Sequence, residues 1–541
     1  MELLDVDFVI TVDRSLMTNH HGKEFIGFMT TGPAVGLPEP IWMWISAPKP
    51  KVDKYGRPRE APYGLRKIEA ALQDAGFKAA IIDPDYVEYY IPRAKALLIG
   101  HHDYFAFNPP SSEWWLVTGK EPVNRKSFLS FMSKVAKAKR ELNPRLKIIV
   151  GGPAAWQWLY VPDLVKEFMV DTIVEGEAER LVIRLAENII EGRSLPRYIS
   201  MAPQDAPSLE EIPAIKAPSV NGLIEIMRGC PRGCKFCSVT LRPLRHYPLD
   251  KIEEELRVNY EYGIRDGIIH SEDVLLYGSS SVIPNPDALI KLHKLVKKYY
   301  RTFAWSHATL AGVVYAQEKY KLITRITEIV FDEHQDYFGF QTGIETGSPE
   351  LAKKVMPAKA APYPAEKWPD IVEEAFSILH EHRIIPAATI IVGLPGETVD
   401  DIVKTTELVE RLRPYRSLIV PMFFVPMGVF RNKDWYTGVN IGIEHAELLL
   451  ATLRHSVYWA KDIISKFYLR GAKYAPLRFL LNLFLDRASK FAEKLTPEKI
   501  LGYIEESKER MAQSTRVERD PILKRVREAI KQKIMQRPVP V

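Results

Sequence analysis

Cysteine is scarce in this chain: only three of its 541 residues are cysteines. All three lie between positions 230 and 237. Thiols this close together cannot build a disulfide framework for a chain of this length. A compact cysteine group in an otherwise cysteine-free sequence is typical of metal binding or redox chemistry. The sequence therefore predicts one cysteine-based site and no disulfides.

Long apolar runs are also missing, since none approaches the roughly 18 residues that cross a bilayer. The longest run, at 417–430, reads SLIVPMFFVPMGVF and contains two prolines. The first residues, MELLDVDFVITVD, have neither the basic segment nor the small-residue cleavage site of an export signal. These absences predict a soluble, cytoplasmic protein without a transmembrane segment.

The charge excess is small, because 74 basic residues face 68 acidic ones and the net charge is +6. Much of the excess falls in the segment 501–541, which ends in RPVPV. The rest of the chain is nearly balanced, so we expect no concentrated basic face of the kind that binds nucleic acid. Glutamine and asparagine are rare while Lys, Glu and Pro are abundant, a bias reported for thermophile proteins.

The length and the 46% apolar content predict several domains with real cores. We interpret residues 1–36 as an N-terminal leader and residues 37–200 as a doubly wound, Rossmann-like α/β domain. Short buried strands that alternate with helices are typical of a parallel sheet covered on both faces. The strands of this domain are predicted at Ile41–Ala47, Ala79–Ile82, Ala96–Gly100, Ile148–Val150 and Thr172–Val174.

A second βα series follows a proline-rich linker at 201–219. Six strand–helix units over 220–430 predict a partial TIM-type (β/α)6 barrel, whose functional groups lie at the carboxyl ends of the strands. Its strands are predicted at Leu223–Met227, Gly267–His270, Phe303–Ser306, Gly339–Ile344, Ala388–Val392 and Leu418–Val425. Residues 431–541 are predicted to be a helical region that packs on the open side of the barrel.

The three cysteines stand in the segment RGCPRGCKFCSVT at 228–240, directly after the first barrel strand. Three thiolates on one loop can ligate three irons of a 4Fe-4S cluster and leave the fourth iron open. An open iron can chelate the amino and carboxylate groups of S-adenosylmethionine, whose one-electron cleavage gives a 5′-deoxyadenosyl radical. A structural zinc site with His246 as fourth ligand is the alternative for the same thiols.

Over residues 221–426 the sequence resembles the radical S-adenosylmethionine (radical SAM) enzyme family, with HSEDV, GFQTGIETGS and VGLPGET following successive strands. The resemblance implies that Cys230, Cys234 and Cys237 are the catalytic cluster ligands. It also implies a set of cofactor-binding residues: Phe236, Gly393, Pro395 and Gly396 at the adenine, Glu345 at the ribose, and Glu272 or Asp273 at the ammonium of the methionine moiety. His307 is predicted to face the pocket, in a catalytic or a cofactor-facing role.

The N-terminal α/β domain resembles the cobalamin-binding domain of one branch of this family. The resemblance rests on KIIVGGPAAW and DTIVEGEAE, and it implies that Gly151, Gly152, Gly176 and Glu177 border the cobalamin. A generic βα turn is the alternative for these glycines. The family's DxHxxG motif is missing, since the loop 48–62 assigned to it has no histidine. We therefore predict cobalamin without that axial histidine, and interpret His101 and His102 as ordinary polar or packing residues.

These features favour a cobalamin-dependent radical SAM methyltransferase that acts on an unactivated carbon of a small-molecule or lipid substrate. The same cofactors without methyl transfer, in a rearrangement, cyclisation or carbon–carbon coupling, are the second hypothesis. A tRNA methylthiotransferase is disfavoured, because it needs further cysteines for a second cluster. A zinc-stabilised binding module is disfavoured as well, because it needs a basic face that the charge distribution lacks. The resemblance also implies an external electron donor of the ferredoxin or flavodoxin type. A membrane-surface role of the C-terminal helices remains open.

Overall fold

The computed structural model describes residues 2–431, 433 and 441–513. The described residues form two compact units, one with residues 2–224, 250–267 and 508–513 and the other with residues 225–249 and the described part of 268–507. Most of the predicted basic segment at 501–541, including its RPVPV end, lies outside the described residues. None of the described helices is apolar over enough of its length to cross a membrane.

The first unit contains a six-stranded parallel sheet, which confirms the predicted α/β class. Its strand order is β2-β1-β3-β4-β5-β6. Residues from β1, β2, β3 and α3 share one apolar core with α8. The strands are β1 Phe8–Thr11, β2 Ala79–Ile81, β3 Ala96–Gly100, β4 Lys147–Gly151, β5 Thr172–Glu175 and β6 Tyr198–Ser200, and the two helices are α3 Tyr63–Asp74 and α8 Glu179–Ile190.

The first strand differs from the sequence prediction. The strand predicted at Ile41–Ala47 is wrong, because Glu39–Ser46 is a helix (α2) with Pro40 in its first turn. The sheet instead takes β1 from the segment interpreted as a leader, where four consecutive residues are buried. A short apolar run does not distinguish a helix from a strand, and the exposure of Trp44, 67%, shows that α2 buries only one side.

The remaining helices of this unit connect and flank the strands. Helix α9 belongs to it as well, because the Glu255 carboxylate accepts a 2.8 Å hydrogen bond from the Tyr63 hydroxyl and pairs with Lys67. The helices not yet named are α1 Glu24–Gly27, α4 Val87–Tyr90, α5 Ser111–Thr118, α6 Val123–Leu142, α7 Pro162–Glu167 and α9 Leu249–Glu261.

The six predicted barrel strands are present as two three-stranded sheets, β11-β10-β7 and β12-β13-β14. A parallel bridge between His307 and Gln341 joins them into the order of a partial (β/α)6 barrel, as predicted. A short antiparallel pair of strands, β8 with β9, was not predicted. The strands are β7 Leu223–Glu225, β8 Met227–Arg228, β9 Arg245–His246, β10 Asp266–His270, β11 Thr302–Trp305, β12 Phe338–Glu345, β13 Ile384–Val392 and β14 Leu418–Phe423.

The barrel strands alternate with helices, as expected for strand–helix units. The segment between β11 and β12 contains two helices, which Lys321 separates with a φ of 49°. The helices are α10 Pro286–Tyr299, α11 Leu310–Tyr320, α12 Leu322–Val330, α13 Pro349–Val355, α14 Trp368–Glu381 and α15 Val399–Arg411.

Three further helices follow the barrel: α16 Ile443–Ile463, α17 Ala475–Lys494 and α18 Pro497–Gln513. Helix α16 lies along β14, where the Ser456 hydroxyl accepts a hydrogen bond from the Ile419 amide (2.9 Å) and donates one to its carbonyl (2.8 Å). A bare sheet edge offers unpaired backbone groups, and Ser456 satisfies two of them. The predicted packing of the C-terminal region on the open side of the barrel is thus observed for α16.

Candidate active site

The cysteine loop follows strand β8 and is fixed by backbone hydrogen bonds on both sides. The Lys235 amide donates to the Val355 carbonyl (2.9 Å), and the Phe430 amide donates to the Lys235 carbonyl (3.2 Å). The Thr240 hydroxyl donates to the Cys237 carbonyl at 2.9 Å. The loop between the barrel strand and α9 therefore has a defined conformation in the described structure.

The three thiols lie in a mostly buried environment. Burial raises the pKa of Cys230 to about 12 and the pKa of Cys234 to about 11, and it also raises the pKa of Cys237. Backbone groups of Arg232 at Cys230, and of Val239 and Thr240 at Cys237, oppose this rise through hydrogen bonds. Such bonds to sulfur are also a means by which proteins tune iron–sulfur clusters, and a bound metal deprotonates its thiols outright.

Arg232, between the first two cysteines, is the buried centre of the loop and is only 1% exposed. Its Nη1 donates to the carbonyls of Lys359 (3.1 Å) and Ala361 (2.9 Å), and its Nε donates to Asp273 Oδ2 at 3.3 Å. One side chain thus joins the cysteine loop, the end of β10 and the loop that carries Lys359.

The two acidic candidates after β10 have different surroundings. Asp273 is fully buried and accepts hydrogen bonds from Arg232, the Thr309 amide (3.2 Å) and the Thr309 hydroxyl (2.6 Å). Glu272 has a buried Oε2 without a hydrogen-bond partner among the described residues, and its nearest cation, Arg242, is 3.9 Å away. Burial raises the pKa of Glu272 to about 7. Of the two, Glu272 has the free acceptor that an ammonium group needs.

Glu345 ends strand β12 in an unusual backbone conformation. Its φ of 62° lies in the left-handed region that non-glycine residues seldom adopt, and the register with β13 shifts between Gly343 and Glu345. The carboxylate is buried, with Oε1 2.5 Å from Lys359 Nζ and Oε2 accepting from the Thr389 hydroxyl at 3.2 Å. Strained backbone at such a position is common at functional sites.

Lys359 connects this carboxylate to the cysteine loop. Burial lowers the pKa of Lys359, but the Glu345 carboxylate, followed by negative charge on the Cys234 and Cys237 sulfurs, outweighs burial and raises it overall. The ammonium also lies 5.8 Å from the centre of the Phe236 ring, within cation–π range. Glu345, Phe236 and the cysteines, which were predicted to share one site, are thus brought together around Lys359.

Gly343 makes room for this cluster. A Cβ atom at Gly343 would lie 1.8 Å from Glu345 Oε1 and 2.5 Å from Lys359 Nζ. A side chain at this position would therefore require Glu345 and Lys359 to shift. The glycine lets the Glu345 carboxylate pack closely against its own strand.

His307 follows β11 and lies beside His270, with 6.0 Å between the ring centres. Its Nδ1 is 3.3 Å from the Ser271 carbonyl. Burial, followed by the neighbouring His270, lowers the pKa of His307 to about 4. Near pH 7 this imidazole is therefore neutral, and it lies at the carboxyl ends of the strands as predicted.

Three of the four predicted adenine-facing residues lie in the turn after β13, and the fourth, Phe236, lies in the cysteine loop. Gly393 and Gly396 both have φ of 84°, and Pro395 between them is half-buried. The Gly393 amide donates to Glu397 Oε2 at 2.6 Å, and burial raises the pKa of Glu397 to about 7. This turn is at the same end of the strands as Glu345.

The zinc alternative is not supported by the geometry. No group of three His, Cys, Asp or Glu side chains among the described residues is close enough to hold a single metal ion. His246, its proposed fourth ligand, has Nε2 2.8 Å from the Ser279 carbonyl, while Nδ1 accepts from the Gly278 amide at 3.2 Å. A tetrahedral zinc brings its sulfurs to about 3.8 Å from one another, whereas a four-iron cube holds its thiolates farther apart.

The predicted cobalamin-border residues lie at the carboxyl ends of β4 and β5 in the first unit. Gly152 has a φ of 84°, and a Cβ there would lie 2.9 Å from the His101 carbonyl, so packing within the sheet already requires this glycine. Gly151 ends β4, Gly176 follows β5 with a φ of 117°, and Glu177 is half-buried. The residues lie at the same edge of the sheet.

His101, which follows β3, does not offer a free imidazole at that edge. His101 is buried, with Nε2 3.0 Å from Asp13 Oδ1, and its Nδ1 accepts from the Asp103 amide at 2.7 Å. Both ring nitrogens are thus used, which fits the predicted packing role; His102 is exposed. His20 Nδ1 is 2.6 Å from the Ser46 carbonyl.

The assignment of the axial-histidine motif to the loop 48–62 is wrong, because this loop does not follow the first strand. Because the first strand is β1, the loop that follows it starts at Val12 rather than at Pro48. Asp13 is followed two positions later by Ser15, so the DxHxxG pattern is missing from the correct loop as well. The prediction that cobalamin lacks this axial histidine therefore rests on the loop that begins at Val12 instead of the loop 48–62.

Sequence reasoning missed three residues of the barrel site: Arg232, Gly343 and Lys359. Arg232 had a possible signal, since it stands between two cysteines. Lys359 lies in a loop after α13 with no motif around it, and the clash that makes Gly343 necessary depends on the bulge at Glu345.

Comparison with known sequences places the central segment in a family. Residues 224–409 match the profile of the Radical SAM superfamily. An uncharacterized methyltransferase of Pyrococcus horikoshii is 26% identical over 161 residues, which cover 24% of this chain and 34% of that protein. A tRNA-2-methylthio-N(6)-dimethylallyladenosine synthase of Carboxydothermus hydrogenoformans is 24% identical over 300 residues, 54% of this chain and 63% of the synthase. The chain thus spans about a third to under two thirds of these relatives.

Among solved structures, the chain is similar to the radical S-adenosylmethionine methyltransferase TsrM from Kitasatospora setae, solved with cobalamin and a [4Fe-4S] cluster bound. The TM-score is 0.50 with 14% identity, over 78% of this chain and 77% of TsrM. At this identity the similarity concerns the fold. Residues 224–409 therefore carry a Radical SAM superfamily domain, and the fold of the chain is similar to that of TsrM.

Proposed function

We propose that Cys230, Cys234 and Cys237 bind a 4Fe-4S cluster with one open iron and that S-adenosylmethionine binds to that iron. The observation that carries the proposal is the convergence of the cysteine loop, Phe236 and the strained Glu345 at one end of the barrel strands. Three sulfur donors without a fourth side-chain ligand suit a cluster that keeps an open iron.

The chain's own residues have separate tasks in this proposal. The unpartnered Glu272 Oε2 accepts hydrogen bonds from the ammonium of the methionine moiety. Glu345 accepts from the ribose hydroxyls, Phe236 packs near the adenine, and Gly393, Pro395 and Gly396 let the backbone approach that ring. The neutral His307 faces the substrate and can accept a proton there.

We further propose that the first unit binds cobalamin at the edge formed by Gly151, Gly152, Gly176 and Glu177, without a protein imidazole on cobalt. Both ring nitrogens of His101 are engaged in hydrogen bonds, which supports a cobalt without a protein imidazole ligand. When bound, the cluster supplies the electron that generates the 5′-deoxyadenosyl radical, and cobalamin supplies the methyl group for transfer. An electron paramagnetic resonance spectrum of bound cob(II)alamin with nitrogen coupling from a protein histidine would contradict the ligand assignment.

The proposed reaction is the transfer of a methyl group to an unactivated carbon of a small-molecule or lipid substrate. It is supported by the fold shared with TsrM and by the methyltransferase among the relatives. Methylthiolation of tRNA is not favoured, because the sequence has no cysteine outside 230–237 for a second cluster. An electron donor of the ferredoxin or flavodoxin type completes the scheme.

Isotopic labelling tests the reaction. The reconstituted enzyme is incubated with S-adenosylmethionine labelled in its methyl group and with extracts that contain candidate substrates. A labelled carbon-bound methyl group in a product supports methyl transfer. Formation of 5′-deoxyadenosine with a product that carries no label would assign the enzyme to the second hypothesis, a rearrangement, cyclisation or carbon–carbon coupling.

A further inference from the structure

The outward side of helix α17 exposes large apolar side chains. Phe479, Leu483, Phe484 and Phe491 have exposed fractions of 67%, 42%, 62% and 54%. At about 100° per residue, these positions fall within roughly half of the helix circumference. The opposite side of α17 packs on α16. This outward face is thus apolar where a solvated helix is normally polar.

Basic side chains lie among these apolar ones. Arg487, Lys490 and Lys494 are exposed and fall on the same outward half of the helix. No ion pair of the described residues involves any of the three, whereas Asp486 at the margin of the face pairs with Lys461 at 2.7 Å. The outward face therefore combines four apolar anchors with three basic side chains that have no ion-pair partner in the part of the chain that the structure describes.

The apolar surface continues onto the next helix. The ring of Tyr503 on α18 lies 6.5 Å from that of Phe491 and is 46% exposed. Tyrosine favours boundaries between apolar and aqueous surroundings, because its ring is apolar and its hydroxyl is polar. The face is thus wider than one helix stripe.

The mixture of charges and rings limits what can cover this face. An apolar groove of a partner protein would desolvate Arg487 and Lys490, which lie between the phenylalanines, without giving them a counter-charge. A second copy of the chain docked face to face would bring like charges together. A lipid surface with anionic head groups accepts both features, because rings enter the acyl boundary while basic side chains reach the phosphates.

We propose that the outward face of α17 docks on an anionic lipid bilayer, with the helix axis parallel to the membrane plane. Phe479, Phe484 and Phe491 insert to the level of the upper acyl chains. Arg487 and Lys490 pair with lipid phosphates. The proposal concerns this helix alone and does not depend on the chemistry in the barrel.

Vesicle flotation of the full-length chain tests the proposal. Vesicles contain equal parts of phosphatidylcholine and phosphatidylglycerol, and control vesicles contain phosphatidylcholine alone. We expect the chain to float with the anionic vesicles at low salt and to bind several-fold less at high salt. Equal binding to both vesicle types, or binding to neither, would overturn the proposal.

Matched variants locate the contact. The triple variant Phe479→Ser, Phe484→Ser, Phe491→Ser is expected to lose at least tenfold in vesicle binding, and the pair Arg487→Glu, Lys490→Glu likewise. The controls are Tyr89→Ser and Arg413→Glu, whose side chains are 59% and 75% exposed elsewhere. Circular dichroism verifies folding. If the controls lose binding as the α17 variants do, the assignment of the face is overturned.

A tryptophan at the centre of the face reports insertion directly. The chain has ten tryptophans of its own, so the emission of the unchanged chain is subtracted from that of the Phe484→Trp variant. We expect this difference emission to shift to shorter wavelength on addition of anionic vesicles and to be quenched by lipids brominated near the head group. Unchanged emission, or a dimer in light scattering that the triple variant abolishes, would assign the face to something other than a membrane.

Discussion

Lys359 Nζ lies 2.5 Å from Glu345 Oε1, and this buried ion pair connects a carboxylate on strand β12 to the loop that Arg232 holds against the cysteines. Both residues have further structural features at this site. Glu345 adopts a left-handed backbone conformation, and Lys359 lies close to Phe236 and the thiols of Cys234 and Cys237. The pair thus places one positive and one negative charge beside the proposed cluster and nucleotide site.

Replacement of this lysine tests the pair. Lys359→Met leaves the Glu345 carboxylate buried without its cation, and we expect it to destabilise the protein by about 3 kcal/mol. Lys353→Met is the control, because its ion pair with Glu366 is largely exposed and contributes little to stability. Urea unfolding curves compare the two. Equal losses in both variants would contradict the importance of the buried pair.

Gly343→Ala tests whether the packing at Glu345 is as tight as the structure indicates. The added Cβ would displace the carboxylate from Lys359, so we expect weaker binding of S-adenosylmethionine by tenfold or more and a lower thermal midpoint. Gly502→Ala is the control, since its Cβ would meet no atom within 4 Å and α18 gains helix propensity. Equilibrium dialysis measures the binding. Unchanged affinity in Gly343→Ala would show that the overlap is relieved without cost.

Arg232→Gln removes the side chain that joins the cysteine loop to Asp273 and to the loop around Lys359. We expect the variant to retain several-fold less iron after anaerobic reconstitution, because the thiols no longer share a fixed geometry. Arg413→Gln, at a side chain 75% exposed, controls for loss of an arginine. Iron and sulfide analysis gives the result. Full iron content in Arg232→Gln would contradict this positioning role.

Glu272 predicts a pH effect on stability. Burial raises its folded pKa to about 7 from an ordinary value of 4.5, so the folded chain holds this proton to higher pH than the unfolded chain. The contribution of the group to stability therefore falls as the pH rises from about 4.5 to about 7. Glu272→Gln should flatten this part of the stability profile and stabilise the protein at pH 8 by about 2 kcal/mol.

Thermal unfolding at several pH values checks the Glu272 prediction. The exposed Glu187 provides the control variant Glu187→Gln, which should leave the profile unchanged. A Glu272→Gln variant with the same slope between pH 5 and pH 7 as the unchanged protein would show that another group is responsible. Glu397 is the next candidate, because burial raises its pKa to about 7 as well.

The sequence predicts much of the architecture because buried parallel strands read as short apolar runs between helices. It fails at Ile41–Ala47, where an equally apolar run forms α2, and at Phe8–Thr11, a short apolar run inside the segment interpreted as a leader. Burial by neighbouring strands decides such cases, and periodicity does not report it.

The candidate site likewise contains residues that sequence motifs predict and residues that only the folded chain brings together. Cys230, Cys234, Cys237, Phe236 and Glu345 stand in motifs, so the sequence predicts them together. The choice between Glu272 and Asp273 depends on which carboxylate Arg232 occupies, and that requires the folded loop. Lys359 reaches Glu345 from a separate loop, so no local pattern marks it.

The central claim is that the three cysteines bind a 4Fe-4S cluster with one open iron. Anaerobic reconstitution followed by Mössbauer and electron paramagnetic resonance spectroscopy tests it most directly. We expect about four irons and four sulfides per chain, and one iron whose signal changes when S-adenosylmethionine is added. A colourless protein with bound zinc, or four irons that all remain unaffected by S-adenosylmethionine, would contradict it.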